Sequence, residues 1–207
     1  EGISGSKILI HSDFKTCFLI SKFIGDYLRL HLKNARWKHI DSKIILNKAK
    51  DTVKKTKIKK LQIIGSNILK DLKKNIGKKT LWSQNNCHGD LTLSNIVLNK
   101  NRNSIVLVDF LETYNEGIIQ DLAKLVQEFY LGWSARYLND VNKLRSNIVY
   151  EKIWSKAKIP FLSKKIKIVI FCESLVTLLR IFPYIKKTDK TTIDWAIKSY
   201  YKLINNK

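Results

Sequence analysis

The side chains of this sequence that could carry out chemistry are concentrated between Cys87 and Glu128. Asp90 and Asn95 lie five residues apart in the segment HGDLTLSN, and Asp109 follows the apolar run SIVLV. Transfer of a phosphoryl group from a nucleotide needs a carboxylate that orients the attacking hydroxyl, and it needs oxygen ligands for Mg²⁺. Mg²⁺ keeps several of its waters, so one carboxylate and one amide can hold it. These residue types and their order therefore suit phosphoryl transfer.

Two predicted strands position these side chains. Residues 95–99 and 104–110 are apolar runs separated by the polar turn 100–103, which predicts a β-hairpin. The hairpin returns the chain so that Asp109 faces Asn95. A helix is then predicted from 121 to 133, because its apolar residues recur with helical spacing.

Together, the segment CHGDLTLSNIVL, the V-D-F at 108–110 and Asp121 resemble the aminoglycoside phosphotransferase and choline kinase superfamily, whose members share the protein-kinase fold. Those enzymes carry H-x-D-x-x-x-x-N, then a strand ending in I/V-D-F/W, then an Asp at the start of a helix. Protein kinases have Arg where this chain has Gly89, and Gly where it has Leu111. The chain therefore resembles the branch that phosphorylates small molecules.

The resemblance implies a role for each of these residues. Asp90 would be the catalytic base, and Asn95 and Asp109 would be the Mg²⁺ ligands. His88 would brace the loop against the backbone at 109–110. Asp121 would cap its helix and hold the catalytic loop from below, although an ordinary helix N-cap would explain this residue equally well.

The N-terminal segment is expected to belong to the small lobe of such a fold. Residues 6–24 are rich in apolar and β-branched residues and contain a Ser-Asp turn, which predicts two short strands. The resemblance makes the second strand the last one before the hinge. Backbone groups at Ser21, Lys22 and Phe23 would then bind the adenine edge of the nucleotide. An ordinary edge strand is the alternative.

The fold class expected is therefore α+β and protein-kinase-like. Residues 1–24 would be the end of the small lobe, a β-hairpin and hinge, and residues 25–207 a mainly helical large lobe with an internal catalytic hairpin. One or two surface helices are predicted within 33–60, and further helices near 61–76, 139–155, 163–182 and 191–205.

The chain is expected to be N-terminally truncated. It begins with Glu1 and contains no Met. In the kinase fold the glycine-rich loop, the strand lysine and the helix glutamate all precede the hinge, and a hinge near residue 22 leaves no room for them. Whether these 207 residues suffice for activity stays open.

Composition restricts the partners and the compartment. The 39 Lys and Arg against 17 Asp and Glu give a net charge of +22, which suits nucleic acid, a membrane surface or a polyphosphate substrate. Lysines spread over many helical phases and scarce arginine favour a coding bias over nucleic-acid binding. The apolar window 166–185 contains Lys167, Glu173 and Arg180, which favours a buried helix over a membrane span. Three widely separated cysteines indicate neither zinc nor disulfides, so a cytoplasmic location is expected.

The function expected is that of an ATP- or GTP-dependent, Mg²⁺-dependent phosphotransferase. Its acceptor would be a hydroxyl of a small molecule such as a sugar, an amino alcohol or an aminoglycoside. Two alternatives remain open. One is a kinase-like nucleotide-binding protein without turnover, and the other is a basic nucleic-acid-binding protein.

Overall fold

The computed structural model describes residues 6–99, 104–112, 117–157 and 162–205. In chain order the elements are α1 (Ser6–His11), α2 (Phe14–Lys33), β1 (Arg36–Asp41), α3 (Lys43–Lys55), α4 (Lys59–Asn75), β2 (Lys79–Gln84), β3 (Ile96–Asn99), β4 (Ser104–Leu107), α5 (Ile118–Leu125), α6 (Asp140–Lys156), α7 (Lys164–Leu179) and α8 (Lys190–Asn205). Strand β1 pairs with β2, and β3 pairs with β4. The described chain is therefore α+β and mainly helical, as expected for its class.

The chain divides into two compact units, each assembled from two segments. The first unit comprises Glu1–Arg36 and Gln84–Phe161, and the second comprises Trp37–Ser83 and Leu162–Lys207. All the side chains predicted to carry out chemistry belong to the first unit. The boundary expected between residues 24 and 25 falls inside helix α2, which continues without a break to Lys33.

The two strands predicted within residues 6–24 are wrong, because this segment forms helices α1 and α2. Asp13 is the N-cap of α2 and accepts a 2.7 Å hydrogen bond from the backbone N–H of Thr16. The buried residues Cys17, Ile20, Ile24 and Leu28 recur every three or four positions, which is the helical period. β-Branched composition favoured strands, but burial on one helical face determines the structure.

Gly25 marks a close approach of two helices and does not end an element. A Cβ atom at Gly25 would lie 2.0 Å from the carbonyl oxygen of Ala157, the C-cap residue of α6. Only glycine leaves room for the backbone at that distance, and α2 packs extensively against α6.

The predicted hairpin is present in the first unit. Strands β3 and β4 pair antiparallel with Ile96 opposite Leu107 and Leu98 opposite Ile105. Ile96 and Leu98 are buried, as strand alternation requires. The predicted turn at 100–103 lies outside the described residues. Strand β4 ends at Leu107, so Asp109 lies in the loop that follows it.

In the second unit, helices α3, α4, α7 and α8 pack against one another, and the unit also contains most of the β1–β2 sheet. Helix α4 is continuous through Gly65, where a Cβ atom would lie 3.0 Å from Val53 and 3.3 Å from Leu179. The apolar window predicted to be a buried helix is α7, in which Glu173 is fully buried. Within the described ranges, no helix is both long and apolar enough to cross a membrane.

Candidate active site

Residues 87–95 form the loop that carries Asp90, and we refer to it as the candidate catalytic loop. Gly89 adopts a φ of +80°, a conformation that favours glycine. The backbone N–H of Thr92 donates to the carbonyl of Asp90 at 2.8 Å, and that of Asn95 donates to the carbonyl of Thr92 at 3.1 Å. The loop is therefore tightly turned and ends in a short 3₁₀ turn, Leu93–Asn95.

Asp121 lies beneath the start of this loop and is fully buried. Its Oδ2 accepts hydrogen bonds from the backbone N–H of His88 at 2.9 Å and from the Tyr27 hydroxyl at 2.6 Å. Its Oδ1 accepts from the backbone N–H of Gly89 at 2.9 Å. Burial raises the pKa of the Asp121 carboxyl, and these hydrogen bonds oppose that rise.

The alternative that Asp121 is a helix N-cap is wrong. Gly117 occupies the N-cap position of α5, and Asp121 lies within the first turn of the helix. The side chain of Asn85 instead provides a hydrogen-bond acceptor at the start of this helix, since its Oδ1 accepts from the backbone N–H of Ile118 at 3.2 Å. The carboxylate of Asp121 is thereby directed to the candidate catalytic loop.

His88 is fully buried and connects the loop to the end of β4. Its Nδ1 accepts a 3.2 Å hydrogen bond from the backbone N–H of Asp90, which leaves the proton on Nε2. Nε2 therefore donates to the carbonyl of Val108 at 2.8 Å. The imidazole also lies 4.4 Å from the ring of Phe110, centroid to centroid. The side chain of His88 thus joins the candidate catalytic loop to the backbone of Val108 and to the ring of Phe110.

Asn95 is buried beside Asp90 and contacts it twice. Its Nδ2 donates to the Asp90 carbonyl at 2.8 Å and to Asp90 Oδ2 at 3.1 Å. Because Nδ2 makes both contacts, Oδ1 is the atom that this amide could offer to a cation. The structure thus brings together two of the residues predicted from the sequence.

Asp109 follows Val108, whose backbone is hydrogen-bonded to the candidate catalytic loop. The N–H of Val108 donates to the carbonyl of Asn95 at 3.1 Å, and the carbonyl of Val108 accepts from His88. Asp109 itself is exposed and adopts a φ of +58°. Residues other than glycine rarely adopt a positive φ, and those that do cluster at functional sites.

The donor set fits Mg²⁺ in kind, since Asn95 and Asp109 offer an amide and a carboxylate oxygen. Among the described residues, no group of three or more His, Cys, Asp or Glu side chains could hold a metal ion. The predicted pair is smaller than such a group and would leave several waters on the ion, as Mg²⁺ prefers.

Lys124 was not among the residues predicted from the sequence. Its Nζ lies 2.8 Å from Asp90 Oδ1, and the two side chains are 15% and 27% exposed. Lys124 follows Asp121 by three residues in α5, so one face of this helix presents both side chains to the loop. Nothing local in the sequence predicts this pair, because it depends on where α5 packs.

Glu128 also supports the candidate catalytic loop, and it too was not predicted from the sequence. It is fully buried in the π-helical turn Val126–Tyr130 that continues α5. Its carboxylate accepts from the backbone N–H of Leu93 at 3.3 Å, from the Ser134 hydroxyl at 2.8 Å and from the Tyr150 hydroxyl at 2.6 Å. Burial raises the pKa of the Glu128 carboxyl. Asp121 and Glu128 thus hold the two ends of the candidate catalytic loop.

The prediction that Ser21, Lys22 and Phe23 form a strand leading into a nucleotide hinge is wrong, because these residues are helical. All three residues lie in the middle of helix α2, and Ser21 is fully buried. A helix interior already uses its backbone N–H and carbonyl groups, so none remains to pair with an adenine edge. The residue of α2 that reaches the site is Tyr27, one turn further along the helix.

No protein-family model matches this chain, and no curated protein matches it either.

Proposed function

We propose that the protein is a phosphotransferase that uses ATP or GTP to phosphorylate a hydroxyl group of a small molecule. The observation that supports this most is the contact between Asp90 and Asn95 in one loop, to which the backbone of Val108, the residue before Asp109, is hydrogen-bonded. That loop is held by two buried groups, His88 and Asp121. This arrangement agrees with the resemblance to the aminoglycoside phosphotransferase and choline kinase superfamily. The resemblance also implies a protein-kinase-like fold, which we include in the proposal.

In this mechanism Asp90 binds the acceptor hydroxyl and takes its proton as the acceptor oxygen attacks the γ-phosphorus. The bond from that phosphorus to the bridging oxygen of the nucleotide breaks, and a nucleoside diphosphate leaves. Lys124 orients the carboxylate of Asp90 through the 2.8 Å ion pair. Asn95 and Asp109 would hold Mg²⁺, which neutralises phosphate charge when it is bound.

The acceptor class follows from the resemblance and comprises sugars, amino alcohols such as choline or ethanolamine, and aminoglycosides. Among the described residues, Cys17, Cys87 and Cys172 are not joined by a disulfide bond, which suits a reducing compartment. We therefore place this activity in the cytoplasm.

The helical state of Ser21–Phe23 favours a second candidate function. Without a hinge in the described residues, the protein could bind a nucleotide through the Mg²⁺ ligands and still not transfer phosphate. In that case it would be a kinase-like nucleotide-binding protein without turnover.

Calorimetric titration with ATP and GTP, with and without Mg²⁺, tests the proposal. Binding that requires Mg²⁺ and is lost in Asp109→Ala supports it, and absence of binding to either nucleotide overturns it. Transfer of labelled phosphate to a panel of sugars and amino alcohols then separates the two candidates. If the protein is a transferase, we expect a labelled product from the wild type. The Asp90→Asn variant should form no product but should still bind nucleotide. Binding without any product assigns the second function.

A further inference from the structure

The positive charge of the chain is concentrated in the second unit. The sequence of this unit contains 24 Lys and Arg against six Asp and Glu, whereas the first unit contains 15 against 11. Lysine alone accounts for 23 of the 93 residues of the second unit and for ten of the 114 residues of the first. A coding bias would enrich lysine in both units alike, so coding bias does not explain this distribution.

Helices α3 and α4 each expose lysines on the side opposite to their own buried residues. Helix α4 buries Leu61, Ile64, Ile68 and Leu72, and its lysines occupy the opposite, solvent-exposed side. We define the basic face by six exposed lysines, three that align along the outer side of α3 and three that align along the outer side of α4: Lys43, Lys50, Lys54, Lys59, Lys70 and Lys74.

The spacing along α4 shows how far this face extends. Lys59, Lys70 and Lys74 are separated by 11 and four residues, which places them along one line of the helix. At the helical rise of 1.5 Å per residue, this line is about 22 Å long. Within the second unit, Lys43 also lines a cavity of about 570 Å³ together with Lys78 and Lys79.

Two isoleucines lie among these lysines. Ile63 is 56% exposed and follows Lys59 by one helical turn, and Ile44 is 44% exposed and adjoins Lys43. On a lipid surface, exposed aliphatic side chains enter the headgroup region while lysines attract anionic headgroups, so these two isoleucines would add apolar contact to the charge attraction.

We propose that the basic face docks on the surface of a bilayer that contains anionic lipids. Nucleic acid is the less favoured partner, because proteins read and stack bases mainly with arginine and aromatic side chains. Residues 43–79 contain neither type. A second copy of the chain is disfavoured by repulsion between like charges. Lysines next to an anionic bilayer contribute about 1 kcal/mol each without specific geometry, which suits this composition.

The test is co-sedimentation of the protein with vesicles of phosphatidylcholine alone or with about 30 mol % phosphatidylglycerol, at about 0.15 M salt. The test variant is the triple substitution Lys59→Gln, Lys70→Gln and Lys74→Gln. The matched control is Lys15→Gln, Lys22→Gln and Lys156→Gln, which removes three exposed lysines of the first unit. Thermal unfolding verifies that both variants are folded.

We expect binding to the anionic vesicles only, weakened at least tenfold in the basic-face variant and little changed in the control. Ile63→Ser should weaken the binding that remains at high salt, where charge attraction is screened. No vesicle binding, equal binding to both vesicle types, or equal loss in both triple variants would overturn the proposal. Tighter binding to random-sequence RNA that is lost in the basic-face variant would also overturn it and would assign the face to nucleic acid.

Discussion

The hydroxyl of Tyr27 donates a 2.6 Å hydrogen bond to Asp121 Oδ2, and this bond joins helix α2 to the buried carboxylate beneath the candidate catalytic loop. The same oxygen accepts from the backbone of His88. Helix α2 therefore contributes the Tyr27 hydroxyl to the site, and it does not form the strand and hinge that the resemblance implied. Burial and the charge of Asp121 both raise the pKa of Tyr27, so its hydroxyl keeps the proton that it donates.

We predict that Tyr27→Phe lowers the free energy of unfolding by about 1.5–3 kcal/mol, the usual worth of a hydrogen bond to a charged group. The substitution leaves Oδ2 of Asp121 with one donor fewer in a buried environment. Urea unfolding measures the effect. Tyr184→Phe is the control, because Tyr184 is 84% exposed. Equal stability of the two variants would contradict the prediction.

The left-handed conformation of Asp109 gives a second prediction. At a φ of +58°, Asp109→Gly should be more stable than Asp109→Ala by about 1 kcal/mol, because a Cβ atom is strained there and glycine is not. Both variants should lose Mg²⁺-dependent nucleotide binding, since both lack the carboxylate. Urea unfolding and calorimetry separate the two effects. An alanine variant as stable as the glycine variant would show that the backbone is not strained.

The features that could be predicted from the sequence are those that depend on neighbouring residues. Helices α6 and α7 begin where Asn139 and Ser163 accept hydrogen bonds from the backbone three residues later, and the expected boundaries lie close to the observed ones. The β3–β4 hairpin follows from two short apolar runs around a polar turn. Such signals are local, and the tertiary structure did not override them.

What could not be predicted depends on packing between distant segments. Helix α2 has the helical period in Cys17, Ile20 and Ile24, but the same residues also suit a strand, and their burial decides between the two. The contacts of Lys124 with Asp90 and of Glu128 with Leu93 join residues more than 30 positions apart. They exist because α5 packs beneath the loop, which no local pattern encodes.

The close approach of α2 and α6 gives a third prediction. Gly25→Ala would place a Cβ atom 2.0 Å from the backbone oxygen of Ala157, and no rotamer change can relieve that clash. We expect a loss of about 2–3 kcal/mol in the free energy of unfolding, as for other overpacked sites. The control is Gly77→Ala, whose Cβ would lie 3.6 Å from the carbonyl of Lys79, an ordinary contact. Similar losses for both variants would contradict the packing described.

A fourth prediction concerns pH. Burial raises the pKa of Glu128, so the folded protein favours its neutral form. The stability that this carboxyl contributes is therefore fully present below its ordinary pKa of about 4.3 and declines as the pH rises through the folded value. Gln at this position does not titrate. We expect the melting temperature of the wild type to fall relative to Glu128→Gln as the pH rises above the ordinary pKa of about 4.3.

The exposed substitution Glu151→Gln supplies the reference for this comparison. Asp121 is present in the wild type and in both variants, so the effect of its own titration cancels when their melting temperatures are compared. A wild type that gains stability over Glu128→Gln as the pH rises would show that the hydrogen bonds to this carboxylate from Leu93, Ser134 and Tyr150 outweigh its burial.

The ion pair between Lys124 and Asp90 gives the last prediction, which depends on the proposed function. Lys124→Met removes the cation 2.8 Å from Asp90 Oδ1 and frees the carboxylate to rotate away from the acceptor. We expect kcat for ATP hydrolysis, with water as the acceptor, to fall about 10–100-fold while KM for ATP changes little. Lys124→Arg should restore most of the rate, because it keeps a charge near Asp90. Lys143→Met removes an exposed ion pair on α6 and should have no effect.

A double-mutant cycle separates orientation of Asp90 from a general structural role of Lys124. In the Asp90→Asn background the base is already lost, so adding Lys124→Met should lower kcat no further. If Lys124→Met still lowers kcat in the Asp90→Asn background, then Lys124 supports the fold and does not position the base. The same conclusion holds if Lys124→Met unfolds enough of the protein to account for the loss of kcat. If the rate is unchanged in the wild-type background, the ion pair has no part in the reaction.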